Sequence, residues 1–186
     1  MLEKGIPLSQ KSLESIFNNG SLSNDKVFLD DIQQKYQRNI SVSWLCNSSK
    51  KIEIYGYNWE ESGNENIIKN FKGLAEKSKL NTIYNSAKYA LSASGSIINT
   101  QRLGEIIHAG AIPVMYDSRE LTDEVQTWDD ECLYFKTKKE LMYILDNNIL
   151  PKKYRSKKML EYFTYDSFVN TMLNIVQDSK EINKLK

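Results

Sequence analysis

The sequence predicts one α/β domain, a parallel sheet with helices on both faces, on three observations. Strand-like apolar runs alternate with amphipathic stretches of about ten residues, at least three times along the chain. The chain has 186 residues, enough for one domain with a core and short for two full-sized α/β domains. Hydrophobic residues at 40% and aromatics at 11%, with a net charge of +1, belong to a chain that folds rather than to a disordered one.

The elements are expected in the following order. Residues 1–25 form a partly helical lead-in, with Leu8, Leu13, Ile16 and Phe17 at helical spacing before a turn-forming run of Asn, Gly and Ser. The domain proper is expected over 26–180, with a short tail at 181–186. Val27, Phe28, Ile32 and Tyr36 give a helix, and Ile40 to Cys46 alternates like a strand, expected at 41–45. Ile52, Ile54 and a closing Gly56 predict a second strand at 52–55. A polar loop from Trp59 to Asn66 leads to two short helices, Ile67 to Leu74 and Leu80 to Lys88. Strand 89–93 then passes through a Ser/Gly/Asn/Thr loop into a helix from Gln101 to Ala109, with Gly110 placed for a left-handed cap. Strand 112–116 carries Pro113 near its start, where a missing N–H is easiest to tolerate. Helical Glu120 to Val125, strand 132–135, helix Thr137 to Asn147 and a helical tail from Lys152 to about Lys180 complete the chain. This order of elements is Rossmann-like.

Composition excludes several function classes. Lys and Arg total 25 against 24 Asp and Glu, so the chain lacks the bulk field that non-specific binding to nucleic acid or an anionic membrane uses. No nucleic-acid partner is expected. The opening residues carry no apolar signal region, and the longest apolar runs are far below the ~20 residues of a membrane span. No membrane span and a cytoplasmic location are expected. Cys46 and Cys132 lie far apart on apolar segments and fit buried thiols in a reducing compartment. There is no phosphate-cradling Gly-x-x-x-x-Gly-Lys-[Ser/Thr] and no Gly-x-Gly-x-x-Gly opening a helix. One histidine, two distant cysteines and the lack of an Asp-x-Asp after a strand leave no expected metal site.

The segment from Ser94 to Pro113 carries the most chemistry. In a parallel α/β sheet, ligands bind at the C-terminal edge of the strands, where loops lead into helix N-termini whose free N–H groups attract anions. Ser94, Ser96, Asn99 and Thr100 populate such a loop. At about 100° per residue, Leu103, Ile106 and Ile107 share one face of the following helix, while Arg102 and Glu105 lie together away from it. A cation in the first turn opposes the helix dipole, a penalty that a bound phosphate would reverse. A glutamate there can accept two hydrogen bonds from a vicinal diol such as ribose. The same two residues also fit a plain i,i+3 surface ion pair. His108 falls on the polar flank and reads as a surface residue.

The run Leu91-Ser-Ala-Ser-Gly-Ser-Ile-Ile-Asn-Thr-Gln-Arg102-Leu-Gly-Glu105-Ile-Ile-His-Ala-Gly110-Ala-Ile-Pro113-Val resembles the nucleotide-sugar-binding segment of glycosyltransferases with the B-type, two-Rossmann-domain fold. It is most similar to exostosin-type and spore-maturation-type bacterial enzymes. Ile52-Glu-Ile-Tyr-Gly56-Tyr-Asn-Trp59 is similar to the strand and glycine turn that precede the donor site in the latter group, and the likeness covers about residues 26 to 178. The resemblance implies the C-terminal, donor-binding half of such an enzyme, one that uses a UDP- or GDP-sugar without a metal and extends a polysaccharide or modifies a protein. It implies Glu105 on the donor ribose and Arg102 with Ser94, Ser96, Asn99 and Thr100 around the diphosphate, and it counts Gly56 among the residues that bind the donor nucleotide. Position 97 is isoleucine where many retaining members carry a glutamate, which favours an inverting reaction. The acceptor side and its general base are expected from an N-terminal Rossmann domain outside this chain, so no residue here is named as catalytic. The competing expectation is a stand-alone module that binds a nucleotide or sugar nucleotide without turnover.

Overall fold

The computed structural model describes residues 26–94, 97–122 and 124–184. In chain order the elements are helices α1 (Lys26–Cys46), α2 (Glu65–Asn70) and α3 (Lys77–Ser86), strand β1 (Tyr89–Ser92), helix α4 (Gln101–Ala109), strands β2 (Ile112–Tyr116) and β3 (Leu133–Phe135), and helices α5 (Lys138–Asp146), α6 (Lys157–Tyr162) and α7 (Tyr165–Lys184). The sheet is parallel in the order β1-β2-β3, with Leu91 opposite Val114 and Val114 opposite Leu133. Alternation along the strands separates two cores. Ile112, Val114, Tyr116, Leu133 and Phe135 meet Ile40 and Trp44 of α1 and Leu141, Ile144 and Leu145 of α5. Met115 points the other way, into Leu103 and Ile107 of α4, Trp128 and Met159 of α6. The chain therefore adopts the expected α/β fold, a Rossmann-like parallel sheet with helices on both faces and a helical C-terminal segment.

Pro113 sits in the central strand without leaving a bond unmade. Ile112 donates its N–H on the β1 side, to Lys88 at 2.9 Å. Position 113 therefore faces β3, whose pairing begins only at Val114.

Two expected strands are corrected. Residues 41–45 are the last turns of α1, not a strand. Ile40 and Trp44 form one i,i+4 stripe that packs on the sheet, and Val42 and Cys46 form a second that packs on Ile54, Trp59 and Ile67. The two stripes are offset by two residues, about 200° around the helix, so a helix held between two apolar layers shows the same alternation as a strand. Residues 52–55 run extended but make only one parallel bridge, Ile54 with Phe71, with Lys72 N–H donating to Ile54 O at 2.8 Å. Among the described residues the sheet accordingly has three strands.

Two helical expectations also change. None of the described residues between Glu120 and Val125 is helical, and the C-terminal tail is two helices, parted at Phe163 and Thr164. Phe163 leaves the helical run because its side chain packs against the backbone of Gly104, where an added Cβ would stand 3.1 Å from the ring. The Thr164 hydroxyl then accepts the N–H of Ser167 and starts α7. The predicted lead-in helix at 1–25 lies outside the described residues. Helix α5 starts at a capping box: Thr137 accepts from Glu140 N–H, and Glu140 from the N–H of Thr137.

Candidate functional site

Helix α4 is fixed at both ends by its own sequence. Thr100 caps it, accepting the N–H of Leu103 at 3.2 Å, and Gly110 ends it at φ +93°, a left-handed conformation that glycine adopts without strain. Tyr154 donates its hydroxyl to Gly110 O, and Arg155 donates to His108 O at 3.2 Å, a cation at the negative end of the helix. Leu103, Gly104, Ile106, Ile107 and Ala109 are buried, so Arg102 and Glu105 are left on the outward face, and His108 is exposed there as well.

That face looks into a cleft of about 670 Å³, and Arg102, Glu105 and Gly56 all line it. The surface ion pair that their spacing allows does not form. Glu105 instead accepts from Gln101 Nε2 at 2.8 Å, and among the described residues no carboxylate pairs with Arg102. Tyr84 of α3 packs on Ile106 and Ala111 and also lines the cleft. Burial raises its hydroxyl pKa, with the charges of Arg102 and Glu105 acting in opposite directions.

Across from α4 the cleft is walled by α1 and the Gly56 turn. Arg38 lies with its guanidinium carbon 4.6 Å from the centre of the Trp59 ring. Burial lowers its pKa, and the nearby charge of Arg102 lowers it further. Gly56 donates its N–H to Gly73 O at 3.1 Å and has φ +131°, which only glycine takes readily. No local pattern links Arg38 to this wall. The link is the stripe Arg38, Val42, Cys46, visible only when residues 40–46 are recognised as helix.

The loop that precedes α4 is occupied from within. Asn99 accepts from Trp128 Nε1 at 2.6 Å and donates to Gln126 O at 3.0 Å. Thr100 is the helix cap. The backbone N–H groups of Ile98 and Asn99 both donate to Glu124 Oε2. Ser94 is half-buried at the end of β1, and Ser96 lies outside the described residues. Thus the structure brings Gly56, Arg102 and Glu105 to one cleft, while Asn99 and Thr100 build the loop beside it. Glu124 and Arg38 take part with no signal in the sequence to mark them, and Trp59 belongs to the strand and glycine turn noted there.

Two further features bear on chemistry. At the C-terminal end of β2, Asp117 is held by Arg119 through two bonds of 2.8 Å, and Arg119 reaches Asp129 at 3.0 Å and stacks on Tyr134. The hydrogen bonds from Arg119 hold the Asp117 carboxyl below its ordinary range. Cys46 and Cys132 are free and buried, and burial pushes the Cys132 thiol up to about 12. Among the described residues no group of three His, Cys, Asp or Glu is placed to hold a metal ion, and no helix is long and apolar enough to cross a membrane.

A search of curated proteins and a search of solved structures each return no match. A sequence model of the family described as glycosyl transferase-like matches residues 26–174, which run from the start of α1 through the whole sheet into α7. The match spans most of the chain and takes in both walls of the cleft, so the protein belongs to the glycosyltransferase-like family.

Proposed function

We propose that residues 26–180 bind the nucleoside-diphosphate sugar that donates the glycosyl group, in an enzyme that transfers it to a glycan or protein acceptor. Membership of the family supports glycosyl transfer as the reaction class. The observation that carries the finer reading is the placement of Arg102 and Glu105 side by side on the open face of α4, with Gly56 across the same cleft. Arg102, which pairs with no carboxylate among the described residues, supplies positive charge to the diphosphate. Glu105, half-buried and bonded among the described residues within its own helix, accepts from the ribose hydroxyls. The loop that holds Ser94, Asn99 and Thr100 brings the donor to α4. Binding by arginines and N–H donors needs no metal. Stabilisation of the leaving diphosphate by the same charge would favour transfer once an acceptor is held beside it.

The test is calorimetric titration with UDP, GDP and ADP of the wild-type chain and of Arg102→Ala. One diphosphate should bind in preference to the others and lose affinity in the variant. Equal binding of all three, unaffected by Arg102→Ala, would remove the donor site from this cleft.

A further inference from the structure

The turn at Gly56 leaves a small space on the floor of the cleft. The Cβ of any other residue at position 56 would stand 3.4 Å from Trp59 Nε1 and 3.8 Å from Arg38 Nη2, so two N–H-bearing groups converge on the place a side chain would fill. Trp59 is only 6% exposed, yet its Nε1 has no hydrogen-bond partner among the described residues. A buried N–H without an acceptor is an unusual expense in a folded chain, and a ligand atom placed against it relieves the loss. Among the described residues no carboxylate pairs with Arg38 either. Glu53, the other carboxylate lining the cleft, is taken by Lys51 at 2.9 Å and Tyr55 at 3.0 Å. Arg102 lines the same cleft, near enough for its charge to lower the pKa of Arg38, so the cleft brings two like charges together.

Two N–H-bearing groups converging at the Gly56 turn, with a further cation lining the same cleft, match a tetrahedral oxyanion, which presents several oxygens to donors. We propose that Trp59 Nε1 and Arg38, with Arg102 opposite, form a phosphoryl-binding site in which the Gly56 cradle receives one oxygen of the nucleoside diphosphate. The proposal rests on the donor reading given above and deepens it. It places the anion on the α1 wall, away from the turn before α4, where Glu124 already takes the N–H groups of Ile98 and Asn99.

The experiment is a ¹H–¹⁵N NMR titration of the full chain with UDP, inorganic pyrophosphate and uridine, the Trp59 indole N–H being assigned from Trp59→Phe. UDP and pyrophosphate should both move that resonance. Trp59→Phe and Arg38→Gln should each weaken UDP about tenfold, the scale of one hydrogen bond to a charged group, and leave uridine unchanged. Arg38→Lys keeps the charge without the planar fork and should lose less, which separates anion binding from any effect of Arg38→Gln on folding. If UDP saturates the protein while the Trp59 resonance stays still and both variants bind as wild type does, the site is overturned and the donor reading stands. If pyrophosphate moves Trp59 but UDP binds no better than pyrophosphate, the anion site stands and the donor reading falls. Binding of neither removes both.

Discussion

One carboxylate oxygen of Glu124 accepts the backbone N–H of Asn99 at 3.0 Å, and it also takes that of Ile98 at 2.7 Å. A single side chain from the loop after β2 thereby satisfies two donors just ahead of α4, where the helix dipole favours negative charge. Glu124→Ala should destabilise the fold by about 1–3 kcal/mol, the cost of stranding donors of this kind. Urea denaturation measures the loss, and faster amide exchange at positions 98 and 99 locates it. Unchanged exchange at both would show that the loop holds itself without Glu124.

Glu105 is expected to behave in the opposite way. Among the described residues it bonds to Gln101, one turn earlier on the same helix. Glu105→Ala should leave the thermal midpoint nearly unchanged and weaken nucleoside-diphosphate binding by about 1–3 kcal/mol. A lowered midpoint with unaltered affinity would mark Glu105 as a structural residue.

The Asp117 and Arg119 pair gives a dependence on pH. Hydrogen bonds from Arg119 hold the folded carboxyl below its ordinary value of 3.8, so the pair stabilises the fold above that value and ceases to as pH falls through the folded one. Arg119 is 34% exposed, so solvent screens part of the interaction. Arg119→Met should cost about 1–2 kcal/mol at pH 7, allowing for that screening. The gap from wild type, read by urea denaturation at several pH values, should close in acid below the ordinary range of aspartate. A gap that stays constant down to pH 2 would assign the loss to stacking on Tyr134 instead.

Gly104 is small because Phe163 lies against it. Alanine gains about 1 kcal/mol of helix propensity. Its Cβ would stand 3.1 to 3.3 Å from three Phe163 atoms, one of them the Phe163 Cβ, which moves only with the backbone. Overpacking of this kind costs about 1–3 kcal/mol, so Gly104→Ala should be destabilising on balance, by the order of 1 kcal/mol. A gain in stability would mean that α6 shifts freely.

Helix α4 was legible in the sequence from cap to cap because its signals are local: Thr100, the apolar face and Gly110 all act within about three turns. The strands β1, β2 and β3 were legible for the same reason. Residues 40–46 were not, because their alternation is produced by two layers on opposite sides of a helix, one of which, around Trp59, is assembled from residues later in the chain. Arg102 and Glu105 could be seen as neighbours on a helical wheel. Arg38 could not be joined to them, since its place depends on α1 crossing between the sheet and the Gly56 turn. Glu124 was hidden in a segment expected to be helical, where its reach to Ile98 and Asn99 has no counterpart in spacing.

The double contact of α1 has a thermodynamic corollary. Ile54, Trp59 and Ile67 form an apolar cluster that joins the rest of the molecule through Val42 and Cys46 of α1 and through Leu91 at the sheet edge. Such a cluster can open as a unit at lower cost than global unfolding. One wall of the cleft belongs to this unit and the other, α4, to the sheet. Any ligand that touches both therefore opposes the opening, and the protection it adds to amide exchange between residues 54 and 72 grows with the logarithm of its concentration. Exchange in that segment becomes a gauge of occupancy, even for a ligand too weakly held to be isolated with the protein.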